Sequence, residues 1–259
     1  MIAGIFHEGS GLGDQLFRYI TVRTIAEGKG YRWCMASKAN FKGDSFMQID
    51  KGDMFPPFEF NYWNEKSVIE NGVDIRSYDP EINFVEDTTV IDGSFEDSKY
   101  WGHNLENINK WLAVEPLDVP NDLCIIGFRG GEYYSDPNLG LPASYFDEAI
   151  AEMRKINPDM RFQVHTDDTL LAKGLFPGFE VVENTPISHS KHSNMGFNWR
   201  SARFAKYAII PNSAFFILPR LLKNFEDHTA ITIAPRYWAR RNKKTWARPA
   251  CFYKPFKYI

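Results

Sequence analysis

An arginine followed by two glycines ends a short apolar run in this 259-residue chain. Residues 123–128 are nearly all apolar, which is typical of a strand buried on both faces of a sheet. Arg129 then lies at the carboxyl end of that strand, where open α/β sheets bind ligands. Because Gly130 and Gly131 have no Cβ, a phosphate or diphosphate can approach the backbone beside the guanidinium fork. The alternative is a surface salt bridge followed by a glycine turn.

Two further polar pairs follow predicted strands in the second half of the chain. Asp167 and Asp168 come after apolar residues of a predicted strand, and Asn212 and Ser213 come after another. Each pair can also cap the helix that follows it, because Asp, Asn and Ser side chains accept hydrogen bonds from the first helical turn. Judged alone, the aspartate pair favours neither a ligand site nor a helix cap, whereas Asn212 and Ser213 favour the helix cap.

The first segment has the pattern of a strand, a glycine loop and a helix. Residues 2–6 are apolar, and Gly9, Gly11 and Gly13 follow them. The dinucleotide fingerprint G-x-G-x-x-G would need a glycine at Asp14, and no acid ends the second predicted strand, so no nicotinamide-dinucleotide site is expected. Asp14 can cap the helix, and the amides of the loop suit an anionic ligand.

Strands and helices alternate through the second half of the chain, which predicts a parallel sheet with helices on both faces. Two prolines and two acids between Glu115 and Asn121 are the best candidate for a linker. We therefore expect two α/β domains with a cleft between them. Their expected bounds are 1–118 and 119–235, followed by a basic, aromatic C-terminal tail over 236–259.

Composition and charge narrow the class of protein. Charged residues make up 24% of the chain and the net charge is −3, which argues against a nucleic-acid-binding protein. The three cysteines have no metal or redox spacing, so free thiols in a reducing compartment are expected. The apolar start is too short for a signal peptide, and no apolar run is long enough to span a membrane. We expect a cytoplasmic protein that is soluble or peripheral to a membrane.

The basic tail has two interpretations. Arginines and lysines are interleaved with aromatic residues over 236–259, and the stretch contains no acid. Such a surface can contact membrane lipid or nucleic acid. Alternatively, its aromatic residues pack back on the protein while the charges face water. The second interpretation is favoured because the rest of the chain is not basic.

Five segments form an ordered set along the chain: residues 11–19 (GLGDQLFRY), 92–100 (DGSFEDSKY), 127–133 with 141–145 (GFRGGEY and LPASY), 165–168 (HTDD) and 209–215 (IIPNSAF). Together they resemble the α-1,2-fucosyltransferases of glycosyltransferase family eleven. The corresponding family patterns are G-G-L-G-N-Q-M-F-Q-Y-A, D-G-Y-x-Q-S-x-K-Y, H-x-R-R-x-D-Y with a later L-P and Tyr, S-D-D, and I-I-A-N-S-S-F. The match at residues 92–100 is the weakest.

Three positions depart from the family pattern. The family histidine is Gly127 here, its second arginine is Gly130, and its loop asparagine is Asp14. The first two changes remove groups that bind phosphate, and the third places a carboxylate near the donor site that the resemblance implies.

The resemblance implies a GT-B-like α/β architecture of two Rossmann-like domains, with the acceptor in the N-terminal half and GDP-fucose in the C-terminal half. It implies inverting transfer of fucose to a galactoside hydroxyl, with no metal and no other cofactor. Arg129 would stabilise the charge that develops on the leaving β-phosphate. The implied donor-binding residues are Gly11, Gly13, Gln15, Arg129, Asp167, Asp168, Asn212, Ser213 and Phe215.

The implied roles of the other site residues follow from their chemistry. Asp167 or Asp168 can accept hydrogen bonds from guanine N–H groups, and Ser213 with neighbouring amides at a helix N-terminus can bind the phosphates. The base that activates the acceptor hydroxyl is sought near His7, which lies with Glu8 and Asp14 at the end of the first strand. We list Glu8 and Asp14 as the catalytic candidates beside Arg129.

The sequence allows two other functions. A non-catalytic nucleotide-sugar or glycan-binding protein on the same scaffold is one alternative, and a transferase for another GDP-sugar is a second. His189 and His192 have the spacing of a metal-binding pair, but no third ligand is near them in the sequence, so no metal site is expected.

Overall fold

The chain forms two α/β units in the computed structural model, which describes residues 1–57, 59–70, 73–136, 138–182, 194–240 and 246–259. The first unit is Met1–Val114 and the second is Glu115–Ile259. The division falls at the start of the stretch with two prolines and two acids. Each unit contains its own parallel sheet, so the expected α/β class with mostly parallel strands is confirmed.

In chain order the elements of the first unit are β1 (Ile2–Ile5), α1 (Leu12–Lys29), β2 (Trp33–Ala36), β3 (Asn61–Asn64), β4 (Val68–Glu70), β5 (Val73–Ile75), β6 (Thr89–Asp92) and α2 (Leu105–Trp111). Four of the strands form a parallel sheet in the order β2-β1-β6-β3. A separate antiparallel pair is formed by β4 and β5.

Helix α1 begins and ends at glycines. Gly11 is its N-cap, and Gly30 ends it in the left-handed conformation, with φ 69°, that residues other than glycine rarely adopt. Asp14 does not occupy the cap position that the sequence predicted. It lies in the first turn, where its Oδ2 accepts a hydrogen bond from the Gly11 amide at 3.2 Å. The acid still satisfies a free amide of the first turn, but from inside the helix.

The sequence did not predict strand β3. Its four residues, Asn-Tyr-Trp-Asn, are mostly exposed, because the strand lies at the edge of the sheet. They pair in parallel with β6, with Asn61 opposite Thr89. An exposed edge strand has no run or alternation of apolar residues, so it lacks the pattern by which buried strands are recognised.

The elements of the second unit are β7 (Leu123–Phe128), α3 (Gly131–Ser135), α4 (Ala143–Ile156), β8 (Arg161–Thr166), α5 (Thr169–Leu175), β9 (Glu180–Val181), α6 (Met195–Phe204), β10 (Tyr207–Ile209), α7 (Ala214–Glu226), β11 (Ile231–Ala234), β12 (Ala239–Arg240), β13 (Trp246–Ala247) and β14 (Phe256–Tyr258). Six of the strands form a parallel sheet in the order β14-β11-β10-β7-β8-β9. Strands β12 and β13 form an antiparallel pair.

The C-terminal stretch is not separate from the second unit. Strand β14 pairs in parallel with β11, and both Tyr253 and Phe256 are buried. The Ile259 amide also donates to the carbonyl of Ala234 at 3.2 Å. These contacts agree with the interpretation in which the aromatic residues pack back on the protein. In the part of the chain that is described, no helix has the length and apolar character needed to cross a membrane.

A completely buried arginine joins several elements of the second unit. The Nε of Arg220, on α7, donates to Thr232 Oγ1 of β11 at 2.9 Å. One Nη donates to the carbonyls of Ala202 and Ala205, at 2.9 and 2.6 Å, at the end of α6. Burial lowers the pKa of Arg220 to about 9. The guanidinium satisfies carbonyls at the end of α6, which would otherwise be buried without partners.

Gly127 and Gly130 are required by close packing. A Cβ on Gly127 would lie 2.8 Å from the Phe216 ring and 2.8 Å from the Pro211 ring. A Cβ on Gly130 would lie 2.4 Å from the Cβ of Asp168. The protein itself therefore occupies the positions where the family pattern has a histidine and a second arginine. The sequence suggested that Gly130 leaves space for a ligand. In the structure, Asp168 already occupies that space.

We expect Gly127→Ala to lower the free energy of unfolding by about 1–3 kcal/mol, because the added methyl group displaces the Phe216 and Pro211 rings. Urea denaturation measures this change. The matched control is Gly174→Ala in α5, where an added Cβ meets no atom within 4 Å and alanine favours the helix by up to about 1 kcal/mol. Equal stability of Gly127→Ala and the unaltered protein would contradict the packing argument.

Candidate functional site

Arg129 lies at the carboxyl end of β7, a central strand of the second sheet. Because the strands are parallel, the chain leaves β7, β8 and β10 at the same edge. Asp167 follows β8 at that edge, and Asn212 follows β10. The six residues of β7 are all buried, which gives Arg129 a rigid base.

The guanidinium of Arg129 is held on two sides. One Nη lies 2.6 Å from Asp167 Oδ2, and the other lies 3.3 Å from Glu132 Oε1. The guanidinium also lies over the Tyr133 ring, 5.0 Å from its centroid. The side chain is 28% exposed, and its buried Nε has no hydrogen-bond partner among the described residues. The result is an ordered cation that still reaches solvent.

Asp167 and Asp168 both hold the loop that follows β7. Asp167 Oδ1 accepts from the Gly130 amide at 2.8 Å, and Asp168 Oδ2 accepts from the Gly131 amide at 3.3 Å. Asp168 is also the N-cap of α5, where its Oδ1 accepts from Leu171 N at 3.0 Å. All four carboxylate oxygens thus have partners within the protein. A guanine base would have to share these oxygens with their present partners. Asp168 caps α5, as one of the two interpretations of the sequence expected.

Asn212, Ser213 and Phe215 lie at the start of α7. Asn212 is 2% exposed, and its Nδ2 donates to the carbonyls of Leu139 and Trp238 at 2.9 and 2.5 Å. Ser213 is the buried N-cap of α7, and Phe215 is half-buried with its ring against Phe216. Asn212 therefore joins two loops at this edge, a role that the sequence did not predict.

His165 is a buried neutral group near this edge. Its Nε2 lies 2.9 Å from Gln163 Oε1, and its Nδ1 lies 3.0 Å from the side-chain amide of Asn198. Burial lowers the pKa of His165 to about 4. At neutral pH the His165 ring is therefore uncharged.

The glycine loop of the first unit is only partly accessible. Gly11 and Glu8 are exposed, whereas Gly13 is buried within α1. Gln15 is completely buried; its Nε2 donates to the Asn40 carbonyl at 2.8 Å, and its Oε1 accepts from the Lys42 amide at 3.0 Å. Gln15 thus has a structural role, because its amide holds residues 40–42 against α1. Its contact with a donor stays a prediction.

A polar cluster lies at the carboxyl edge of the first sheet, and the sequence pointed to its histidine but not to Asp92 or Arg18. His7 Nε2 is 3.1 Å from Asp92 Oδ2, and the other oxygen of Asp92 is 2.9 Å from Arg18 Nε. His7 follows β1 and Asp92 ends β6, which are parallel neighbours. That shared edge is the signal that could have brought Asp92 to attention beside His7.

Two further carboxyl groups lie beside this cluster. Glu65 is 6% exposed, and its Oε2 accepts from the amides of Ser94 and Phe95 at 2.8 and 3.1 Å. Burial, together with the nearby carboxylates of Asp14 and Glu65, raises the pKa of Glu96 to about 8. Glu96 is therefore mainly protonated at neutral pH.

The described residues contain no group of three or more His, Cys, Asp or Glu side chains placed to hold a metal ion. His189 and His192 lie outside the described residues. The polar groups that the structure brings together are thus an arginine with two aspartates in the second unit, and a histidine, an aspartate and an arginine in the first.

No family model matches the chain, and no curated protein sequence matches it. Among solved structures, it is similar to NodZ alpha-1,6-fucosyltransferase co-crystallized with GDP, with a TM-score of 0.47 and 13% identity over 85% of this chain and 92% of that chain. The structure soaked with GDP-fucose has a TM-score of 0.45 at 13% identity over 85% and 92%. Fucosyltransferase NodZ from Bradyrhizobium has a TM-score of 0.44 at 12% identity over 85% and 93%. Similarity at this level assigns neither an activity nor residue roles to this chain.

Proposed function

We propose that the protein is an inverting glycosyltransferase that transfers fucose from GDP-fucose to a galactoside hydroxyl of a glycan, with an α-1,2 linkage. The ordered family motifs support this function. The observation that carries it is Arg129 at the end of β7, held by Asp167 at 2.6 Å and still 28% exposed. An ordered, solvent-accessible guanidinium at this edge of a parallel sheet suits a diphosphate.

The chemistry of the transfer explains why a fixed cation is useful. As the bond between the sugar and GDP breaks, negative charge collects on the β-phosphate and positive charge on the sugar ring. A cation that is already in place stabilises this charge without reorganising. Asp167 and the Tyr133 ring hold the Arg129 guanidinium in one orientation before the donor binds.

The rest of the donor site is proposed from the same edge of the sheet. The amides of Gly130 and Gly131 already donate to Asp167 and Asp168. We therefore assign phosphate binding in the loop after β7 to the Arg129 guanidinium and not to these amides. The first turn of α7, which begins after Ser213, has amides of the kind that bind phosphate. We assign the diphosphate to Arg129 and the start of α7.

A second candidate function is binding of a nucleotide sugar without turnover. It is favoured by the packing at Gly127 and Gly130, where Phe216, Pro211 and Asp168 fill the space of two phosphate-binding side chains of the family pattern. Arg129 would then act alone, as a binding group rather than a catalytic one.

Incubation with GDP-fucose, GDP-mannose and a UDP-sugar, each with a galactoside acceptor, separates these functions. We expect transfer from GDP-fucose that persists in excess EDTA, and a Kd for GDP at least about tenfold below those for ADP and UDP. Transfer only from another GDP-sugar would replace fucose as the donor sugar. GDP-fucose binding with neither transfer nor hydrolysis would establish the second candidate, and equal affinity for GDP and UDP would refute the expected preference for guanine.

We expect Arg129→Lys to lower kcat by about 10²–10³, the scale of one lost donor to a developing oxyanion. Lysine keeps the charge but cannot contact Asp167 and a phosphate through the two arms of one planar group. Donor affinity should change less than kcat, because the β-phosphate charge grows towards the transition state.

The matched control is Arg161→Lys, which alters an exposed arginine paired with Asp122 at 2.7 Å in the same unit. Such a surface pair contributes about 0–1 kcal/mol to stability, so kcat should be unaffected. If Arg129→Lys behaved like this control in both kcat and Tm, Arg129 would be an ordinary surface salt bridge.

A further inference from the structure

We propose that His7, at the polar edge of the first unit, is the catalytic residue that removes the proton from the acceptor hydroxyl. This inference rests on the proposed transferase function and adds the base that such a reaction needs. It replaces Glu8 and Asp14, the candidates from the sequence.

The imidazole of His7 is oriented and accessible. Its Nε2 lies 3.1 Å from Asp92 Oδ2, and the side chain is 40% exposed. An ionised carboxylate only accepts hydrogen bonds, so Nε2 carries the proton in the neutral ring and Nδ1 carries the lone pair. No hydrogen bond to Nδ1 is made by the described residues. The ring thus presents an unprotonated nitrogen that a substrate hydroxyl can approach.

Asp92 is itself held in place. Its Oδ1 accepts from Arg18 Nε at 2.9 Å and from the Gly93 amide at 2.9 Å. Arg18 is 7% exposed, and one of its Nη groups donates to the Gly93 carbonyl at 3.0 Å. The carboxylate that faces His7 is therefore fixed by a buried guanidinium and by the backbone. This chain of contacts makes Asp92 and Arg18 positioning residues for His7.

The neighbouring carboxyl groups are poorer candidates for the base. Asp14 accepts from the Gly11 amide at the start of α1. Glu65 accepts from two backbone amides, and Glu96 is mainly protonated at neutral pH because burial raises its pKa to about 8. Glu8 is exposed, and no contact of the described residues orients its carboxylate. His7 combines access with a fixed orientation.

Proton transfer to His7 accompanies the transfer of fucose. The acceptor oxygen forms a bond to the anomeric carbon of fucose while the bond from that carbon to the GDP oxygen breaks, and GDP takes the bonding electron pair. The hydroxyl proton moves to Nδ1 of His7. Asp92 stabilises the resulting imidazolium, and the proton then passes to solvent.

The test uses the full chain with three variants, His7→Ala, Asp92→Asn and the control His103→Ala, an exposed histidine of the same unit. His7→Ala should lower kcat about 10²–10⁴-fold and leave the Kd for GDP unchanged. Added imidazole should restore part of the lost rate, which a purely structural role of His7 would not allow. His103→Ala should keep the native kcat.

Asp92→Asn guards against a folding defect in the alanine variant. An asparagine amide can donate to Nε2 of His7, which moves the ring proton to Nδ1 and removes the base. We expect kcat to fall by at least about tenfold with little change in the KM for the acceptor. Native kcat in His7→Ala, or a loss that imidazole fails to restore, would overturn the assignment of His7 alone. Absence of any transfer by the unaltered protein would refute the proposed function, and the role of His7 with it.

Discussion

Parallel strand pairing is the constraint on which both units depend. In each unit every strand of the main sheet runs in the same direction, so the chain leaves all of its strands at one edge. Residues far apart in sequence meet there: His7 with Asp92, and Arg129 with Asp167. Side chains just beyond a buried strand have a rigid base, and the strand itself needs no polar residues for function.

The two edges use an arginine and an aspartate in opposite ways. In the second unit Asp167 holds Arg129, and the guanidinium remains 28% exposed, so the cation is available to a ligand. In the first unit Arg18 is buried and holds Asp92, whose other oxygen faces the exposed ring of His7. An arginine–aspartate pair thus leaves the guanidinium accessible to solvent in the second unit. In the first unit, a pair of the same kind orients the carboxylate towards an imidazole.

Packing explains why residues 127 and 130 are glycines in this chain. The Phe216 and Pro211 rings lie against Gly127, and the Cβ of Asp168 lies against Gly130. A histidine or an arginine there would require α7 or the start of α5 to move. Interiors packed this closely do not absorb such side chains without cost. The proposed donor site therefore has one arginine, and Asp167 orients that arginine.

The sequence by itself determined the α/β class and the strand before Arg129, because these depend on local patterns of apolar residues. It did not reveal β3, whose exposed edge residues carry no apolar pattern. Only the tertiary structure decided what the polar side chains do. Gln15 and Asn212 are buried among backbone carbonyls, Asp168 caps a helix, and Asp92 orients His7. A polar residue's role depends on which groups lie within about 3 Å of it, and strands that pair across many intervening residues set those distances.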